Sequence, residues 1–413
     1  MKAAIEAAVK QHPALRMAAR KADRLLRRMR YRLKTHGVKT DKKLVLFAAY
    51  AGHSYACIPK ALCEEMLRDE KYRDHRFVWL FKEPESYRFL EANGRTTVLR
   101  FGSVEAERAV RRAKYWVINF TAPESWVPQK DQVYLQCWHG TPLKKLGFDI
   151  TSSENAMNSP AEIHMRYRHD AARFTYLLAP SAFAAEKFRS VWAIDRCNKN
   201  PASCMIECGY PRNDFLKRFT PEDVQRVKKQ LGLENTGKKL ILYAPTWRDD
   251  QYDPKTGYTY KSPVDFDALQ RALGKDYILL FRTHYLAAQQ TDFEKYKGFL
   301  LDVSDVDDVN DLYIVSDMLI TDYSSVFFDY ANLRRPILFY MYDLAHYRGA
   351  LHDFYLEPEE LPGEIVHTEQ ALIKAVKAAA QNGPSDKMEA FCARFTPLDD
   401  GNAAKRVLEV LFS

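Results

Sequence analysis

Asp322, Tyr323, Ser324 and Ser325 stand between an apolar run, Met318–Thr321, and a segment in which Val326, Phe327 and Tyr330 recur at helical spacing. The pattern predicts a buried strand, a tight turn and a helix start. The first N–H groups of a helix have no partner within it, and its dipole favours an anion there. Two adjacent serine hydroxyls add donors at the same place. A plainer reading has Asp322 or Ser324 do no more than cap the helix.

Two other apolar runs end in the same kind of chemistry. Lys239–Ala244 leads into Pro245-Thr-Trp-Arg-Asp249, and Tyr277–Phe281 leads into Arg282-Thr-His-Tyr285. Side by side, Arg248, Arg282, His284, Ser324 and Ser325 would form one positive, donor-rich pocket. Such a pocket suits a pyrophosphate, which takes charge-assisted bonds and backbone N–H groups. Asp322 is grouped with this phosphate-side set.

Further upstream, Val133–Cys137 ends in Trp138-His-Gly-Thr-Pro-Leu-Lys-Lys-Leu-Gly147. Ligands of open α/β sheets bind outside the carboxyl ends of the strands. Gly140 lets a ligand approach the backbone, and Thr141 beside it joins the phosphate-binding candidates. His139 can move a proton near neutral pH, although a lone histidine is as often structural. Lys144 and Lys145 either meet phosphates or are solvated.

The elements that must hold these residues alternate. Leu44–Ala48, Phe77–Phe81, Thr97–Phe101, Tyr115–Asn119, Val133–Cys137, Tyr176–Ala179 and Met205–Glu207 read as short strands. Helical segments such as Pro59–Leu67 and Val104–Ala113 separate several of them, the signature of a parallel sheet flanked by helices. Gly209-Tyr-Pro-Arg-Asn-Asp214 is turn-rich and reads as a boundary. The alternation then restarts at Lys239. The organisation expected is a basic arm at 1–42, an α/β domain at 43–218 and a second at 219–413. The last helix, Asn402–Leu411, is a candidate to pack back on the first of these.

The formal charge of +8 is unevenly placed: residues 1–43 carry 14 Lys/Arg and 3 Asp/Glu, a net of +11, which leaves −3 for the rest. The body therefore lacks the electrostatic footprint of a nucleic-acid surface. In the arm, Leu15, Ala18, Ala22, Leu25, Leu26, Met29 and Leu33 recur at helical spacing among Arg16, Arg20, Arg24, Arg27, Arg28 and Arg30. A basic amphipathic helix can lie on an anionic membrane, here with Arg20, Arg24, Arg27 and Arg28 at the headgroups. It can equally dock on its own domain. No apolar run is long enough to span a bilayer and no signal peptide is visible. Seven scattered cysteines fit a reducing compartment. Asp302, Asp305, Asp307, Asp308 and Asp311 look like a cation cluster but precede a helical segment, where capping explains them. No metal or cofactor is expected.

Together, Trp138–Asp149, Gly209–Asp214, Ala244-Pro-Thr-Trp-Arg-Asp249, Arg282-Thr-His284 and Thr321–Tyr330, with Ser54-Tyr-Ala-Cys-Ile-Pro-Lys-Ala61, resemble the CDP-glycerol glycerophosphotransferases of teichoic acid and capsule synthesis. The resemblance runs in order from about Leu44 to Tyr347. It implies a GT-B-like fold, two facing Rossmann-like domains with the site in the cleft. It maps His139 to a proposed general base, and Arg248, His284, Ser324 and Ser325 to the groups holding the nucleotide diphosphate. Asp149 is the candidate to orient His139. The implied reaction is attack of an acceptor hydroxyl on the β-phosphorus of CDP-glycerol, with CMP leaving. The implied acceptor is lipid-linked, and the implied location is the cytoplasmic face of the membrane. Three alternatives remain: a CDP-ribitol-dependent transferase, a UDP-sugar-dependent enzyme of the same fold, and a membrane-bound scaffold that binds a nucleotide without turnover.

Overall fold

The computed structural model describes residues 13–151, 159–246, 252–253, 257–258, 264–283, 291–347 and 353–413. Side chains of 13–20, 252–253, 257–258 and 346 are not described. Arg248 and His284 therefore lie outside the described residues, as does the side chain of Arg20.

The chain builds two parallel sheets. The first has seven strands: β1 Asp41–Ala48, β2 Arg76–Phe81, β3 Thr96–Arg100, β4 Ala113–Ile118, β5 Val133–Gln136, β6 Tyr176–Ala179 and β7 Met205–Glu207, in the order β3-β2-β1-β4-β5-β6-β7. The second begins with β8 Lys239–Ala244. A two-stranded ribbon follows, β9 Tyr252–Asp253 with β10 Gly257–Tyr258. Then come β11 Tyr277–Phe281, β12 Leu300–Asp302, β13 Met318–Thr321, β14 Ile337–Tyr340 and β15 Glu364–Val366, giving β12-β11-β8-β13-β14-β15. Both sheets reverse their winding beside their first strand, so each has a switch point, between β1 and β4 and between β8 and β13. Crevices for ligands open there.

Central strands are apolar throughout because helices cover both faces. All five residues of β11 and all four of β13 are buried. Each sheet accordingly has two cores, one per face. Polar side chains start the covering helices: Ser103 caps Val104–Arg112, Ser181 caps Ala182–Val191, and Ser159 and Thr220 form capping boxes with Glu162 and Asp223.

The two halves interlock. Leu143 and Phe183 of the first half are part of the second half's core. Lys144 pairs with Phe354 in an antiparallel bridge, and Tyr355 N–H donates to the Leu143 carbonyl at 2.8 Å. The closing helix, Ala403–Leu411, returns to the first sheet, where Ala404, Val407, Leu408 and Leu411 fill the core on one face.

The helix Pro13–Lys34 lies against the first half. Arg24 pairs with Glu124 at 2.5 Å, Arg28 donates to His169, Lys34 pairs with Glu107 at 2.9 Å, and Tyr31 is buried. Burial, with Arg173, Arg28 and Arg24 nearby, pushes the His169 imidazole down to about 3, so it stays neutral and accepts. Arg24 and Arg28, expected at a membrane surface, thus face protein: half-buried carboxylate and imidazole partners claim them. Arg27 remains exposed, with Asp23 one turn away. Leu25, Leu26, Met29 and Leu33 point outward, at 52–77% exposure.

Candidate active site

The first sheet's switch point is tied together by one asparagine. At the end of β4, Asn119 accepts from Tyr50 N–H through Oδ1 at 2.8 Å, which joins it to the end of β1. Its backbone carbonyl accepts from Nδ1 of His139 at 2.8 Å. A carbonyl can only accept, so Nδ1 carries the proton in the neutral ring and Nε2 keeps its lone pair. Trp138 stacks on the imidazole with centroids 4.3 Å apart, and the Tyr50 ring stands at 5.9 Å. His139 is exposed, yet protein atoms crowd its ring, and that desolvation, helped by Arg212, holds its pKa below the ordinary histidine value against the pull of the Asn119 bond.

The backbone here is strained. Tyr50, Ala51, Cys57 and Trp138 have φ of 47°, 56°, 64° and 49°, the left-handed region, with no glycine among them. Such residues persist only where the surroundings over-determine them, and they gather at functional sites.

At the second sheet's switch point Asp322 accepts from Thr246 N–H at 2.8 Å and from Tyr323 N–H at 2.5 Å. Thr321 donates from its hydroxyl to the Ala244 carbonyl at 2.8 Å. The ends of β8 and β13 are thereby locked. Asp322 is 2% exposed, and with these two bonds it shapes the turn. Thr141 is also buried. Ser324 and Ser325 are half-buried, and Ser325 is the residue before the short helix Val326–Tyr330. Its side chain makes no capping bond.

The two switch points meet at Gly140. A Cβ there would stand 2.7 Å from Ser325 Oγ, so the absent side chain brings the His139 loop against the serine turn. Beside this contact lies a cavity of about 440 Å³ between the halves, walled by Tyr50, His53 and Cys57 on one side and Arg282, Ser304 and Asp305 on the other. That size is ordinary for a small-molecule site. Arg282 uses Nη1 on the Val303 and Val306 carbonyls, at 3.1 and 2.6 Å, and so shapes the loop that forms this wall.

Asp149 does not hold His139. Its carboxylate accepts from the hydroxyls of Ser190 and Tyr355, and the Asn119 carbonyl occupies the place assigned to it. Lys145 pairs with Asp353 across the two halves, and the Lys144 ammonium stands 5.1 Å over the Tyr347 ring. The aspartates after β12 are engaged as caps and pairs. Asp308 caps Val309–Val315 and meets Lys60 at 2.8 Å, Asp307 accepts from Tyr87, and Asp311 pairs with Arg226.

One buried pair was not expected at all. Arg212, inside the segment read as a boundary, holds Asp329 with three contacts of 2.8–3.3 Å and donates to the His139 carbonyl at 2.8 Å. Gly209–Asp214 reads as a boundary and as one of the motifs that carry the family resemblance, and neither reading assigns Arg212 a role.

Residues 29–413 match the family model described as CDP-Glycerol:Poly(glycerophosphate) glycerophosphotransferase. The chain belongs to this family. Among its glycerophosphotransferase relatives is the teichoic acid poly(glycerol phosphate) polymerase of Bacillus spizizenii, 36% identical over 374 residues, which are 90% of this chain and 92% of that one. The teichoic acid glycerol-phosphate transferase of Staphylococcus aureus is also 36% identical, over 90% of this chain and 93% of its own. A crystal structure of the wall teichoic acid polymerase TagF, a histidine-to-asparagine variant soaked with CDPG, superposes with a TM-score of 0.81 at 31% identity, covering 96% of both chains. Relatives that handle ribitol phosphate match less closely and over less of the chain. The fold is thus the GT-B-like pair of facing α/β halves, and the chain is a glycerophosphotransferase of teichoic acid synthesis.

Proposed function

We propose that His139 is the general base of glycerol phosphate transfer from CDP-glycerol to a hydroxyl of a membrane-carried glycerophosphate or saccharide acceptor. The observation that carries this is the imidazole itself: Nδ1–H is fixed on a backbone carbonyl, the residue is exposed, and the glycine that follows it abuts Ser325. Nε2 takes the hydroxyl proton as the acceptor oxygen bonds to the β-phosphorus. The bond from that phosphorus to the bridging oxygen breaks, and CMP leaves with the electron pair. Ser324 and Ser325 donate to the diphosphate, with Arg248, Arg282 and His284 on the same strand ends; donors fixed in advance stabilise the charge that spreads over the phosphoryl oxygens.

The test is product analysis. The enzyme is incubated with CDP-glycerol, CDP-ribitol or a UDP-sugar and a defined lipid-linked acceptor, and the units added per acceptor are counted. Glycerol phosphate addition with stoichiometric CMP supports the reading, and turnover of the UDP-sugar alone overturns it. One unit per acceptor marks a transferase and many mark a polymerase.

Gly140→Ala tests the contact between the switch points. The new methyl forces the Ser325 hydroxyl aside, so KM for CDP-glycerol rises about tenfold, the worth of one hydrogen bond, with kcat less affected. An unchanged KM would remove Ser325 from the donor site.

The outward stripe of Leu25, Leu26, Met29 and Leu33, flanked by exposed Arg27, Arg30 and Arg32, supports membrane association by this helix. Apolar side chains enter the acyl boundary while the arginines reach headgroups. Changing the four apolar residues to Gln abolishes co-flotation with phosphatidylglycerol vesicles and leaves turnover of a soluble acceptor intact. Flotation unchanged by the substitutions would rule this surface out.

A further inference from the structure

Arg212 is a buried cation that the transfer step above does not use. On one side its Nη1 donates to the His139 carbonyl at 2.8 Å and lies 3.1 Å from Cys57 Sγ. On the other, Nε and Nη2 grip Asp329, which sits four residues beyond Ser325 on the helix that the serine turn begins. Its own carbonyl accepts from Asn310 Nδ2 at 2.6 Å, in the helix that starts at the edge of the cavity. Asn213 repeats the link, donating to Asp329 at 3.0 Å and to Asp399 at 2.7 Å. One residue therefore touches the base's backbone, the strained Cys57 and two helices of the opposite half.

A buried ion pair is a poor device for stability alone, because desolvation offsets much of its attraction. A guanidinium offers direction instead: a rigid fork that meets a carboxylate along two bonds and still has an N–H for a third partner. Here the third partner is the carbonyl of His139, directly after Trp138 at φ 49°. Left-handed backbone without glycine needs such an external hold.

We infer that Arg212 is a positioning residue for phosphoryl transfer: through the His139 carbonyl and Asp329 it fixes the imidazole of one half against the serine turn of the other. The inference rests on the reading of His139 as base, and the test separates the two. Three variants of the full chain are compared with wild type and His139→Ala: Arg212→Lys, Arg212→Gln, and Arg212→Gln with Asp329→Asn. Lysine keeps the charge but lacks the fork, so it isolates geometry.

For Arg212→Lys, kcat falls about a hundredfold, the scale of an ångström's misplacement, while KM for CDP-glycerol stays within about threefold. In Arg212→Gln the acid limb of kcat/KM moves to higher pH, because a cation that disfavours imidazolium has gone and the Asp329 carboxylate is left uncompensated nearby. Neutralising Asp329 in the double variant moves the limb back, yet kcat stays low. A role in folding alone lowers the yield of folded protein and leaves kcat per folded enzyme at the wild-type value. If Arg212→Gln does not fold, the kcat and KM of Arg212→Lys decide. Wild-type kcat in Arg212→Lys, with His139→Ala inactive, overturns the inference and leaves the base standing. Full activity in His139→Ala overturns the base, and the inference with it.

Discussion

His139→Ala lowers kcat by a factor of about 10² to 10⁴, the usual contribution of a positioned base, and leaves the fold intact. The ring contributes a stack on Trp138 and one bond to Asn119, and its outer edge is already in solvent, so its loss opens no cavity in the core. The pH profile carries the same assignment. A base works when neutral. Burial first, and Arg212 second, lower the His139 pKa, so the ring is neutral at and above the ordinary histidine value. The rate therefore holds level as pH falls through about 6.5 and drops only below it. Steady-state kinetics between pH 5 and 8 check both points. A near-normal rate in the alanine variant, or a limb above the ordinary value, would end the assignment.

Asp329→Ala gives the largest loss of stability, about 3–5 kcal/mol, the cost of removing one partner from a buried pair. The Arg212 and Asp329 side chains are 6% and 7% exposed, so the guanidinium left behind is a largely buried charge without its counter-ion. Burial alone would lower the Arg212 pKa, and Asp329, together with Cys57, Tyr210 and Tyr50, holds it high. Asn213 loses a partner in the same step. Urea unfolding checks the figure, and a change under about 1 kcal/mol would mean that the pair is hydrated in solution.

The catalytic edge was legible because parallel strands advertise themselves. Met318–Ile320 and Tyr277–Phe281 are unbroken apolar runs, and Val133–Cys137 is interrupted only by Gln136; whatever follows such a run sits at the carboxyl end of a sheet. His139 and the two serines could be placed this way before any contact was known. The short strands Leu300–Asp302, Ile337–Tyr340 and Glu364–Val366 drew no assignment. Arg212 was illegible for another reason. Its partners are 73 residues before it and 117 after it, and nothing local in Gly209–Asp214 announces either.

Asp149 shows the converse error. A carboxylate near a histidine in sequence invites a catalytic pair, but the peptide carbonyl of Asn119 does the orienting, and a backbone group leaves no trace in residue type. In the N-terminal helix the period separated the apolar from the basic residues. It did not say which set faces the body. Glu124, His169 and Glu107 draw Arg24, Arg28 and Lys34 toward the body, and the leucines face out.

The return of the closing helix to the first sheet orders events during synthesis. Strands β1 to β7 have emerged from the ribosome by Glu207, but Ala404 to Leu411, which complete one face, follow roughly 200 residues later. At roughly 5–20 residues per second that face waits on the order of 10–40 s, exposing Val45, Phe47 and Trp79 at the centre of an unfinished core. The nascent chain is thus a natural client for a chaperone throughout that interval, and a premature stop near codon 400 would damage the half made first.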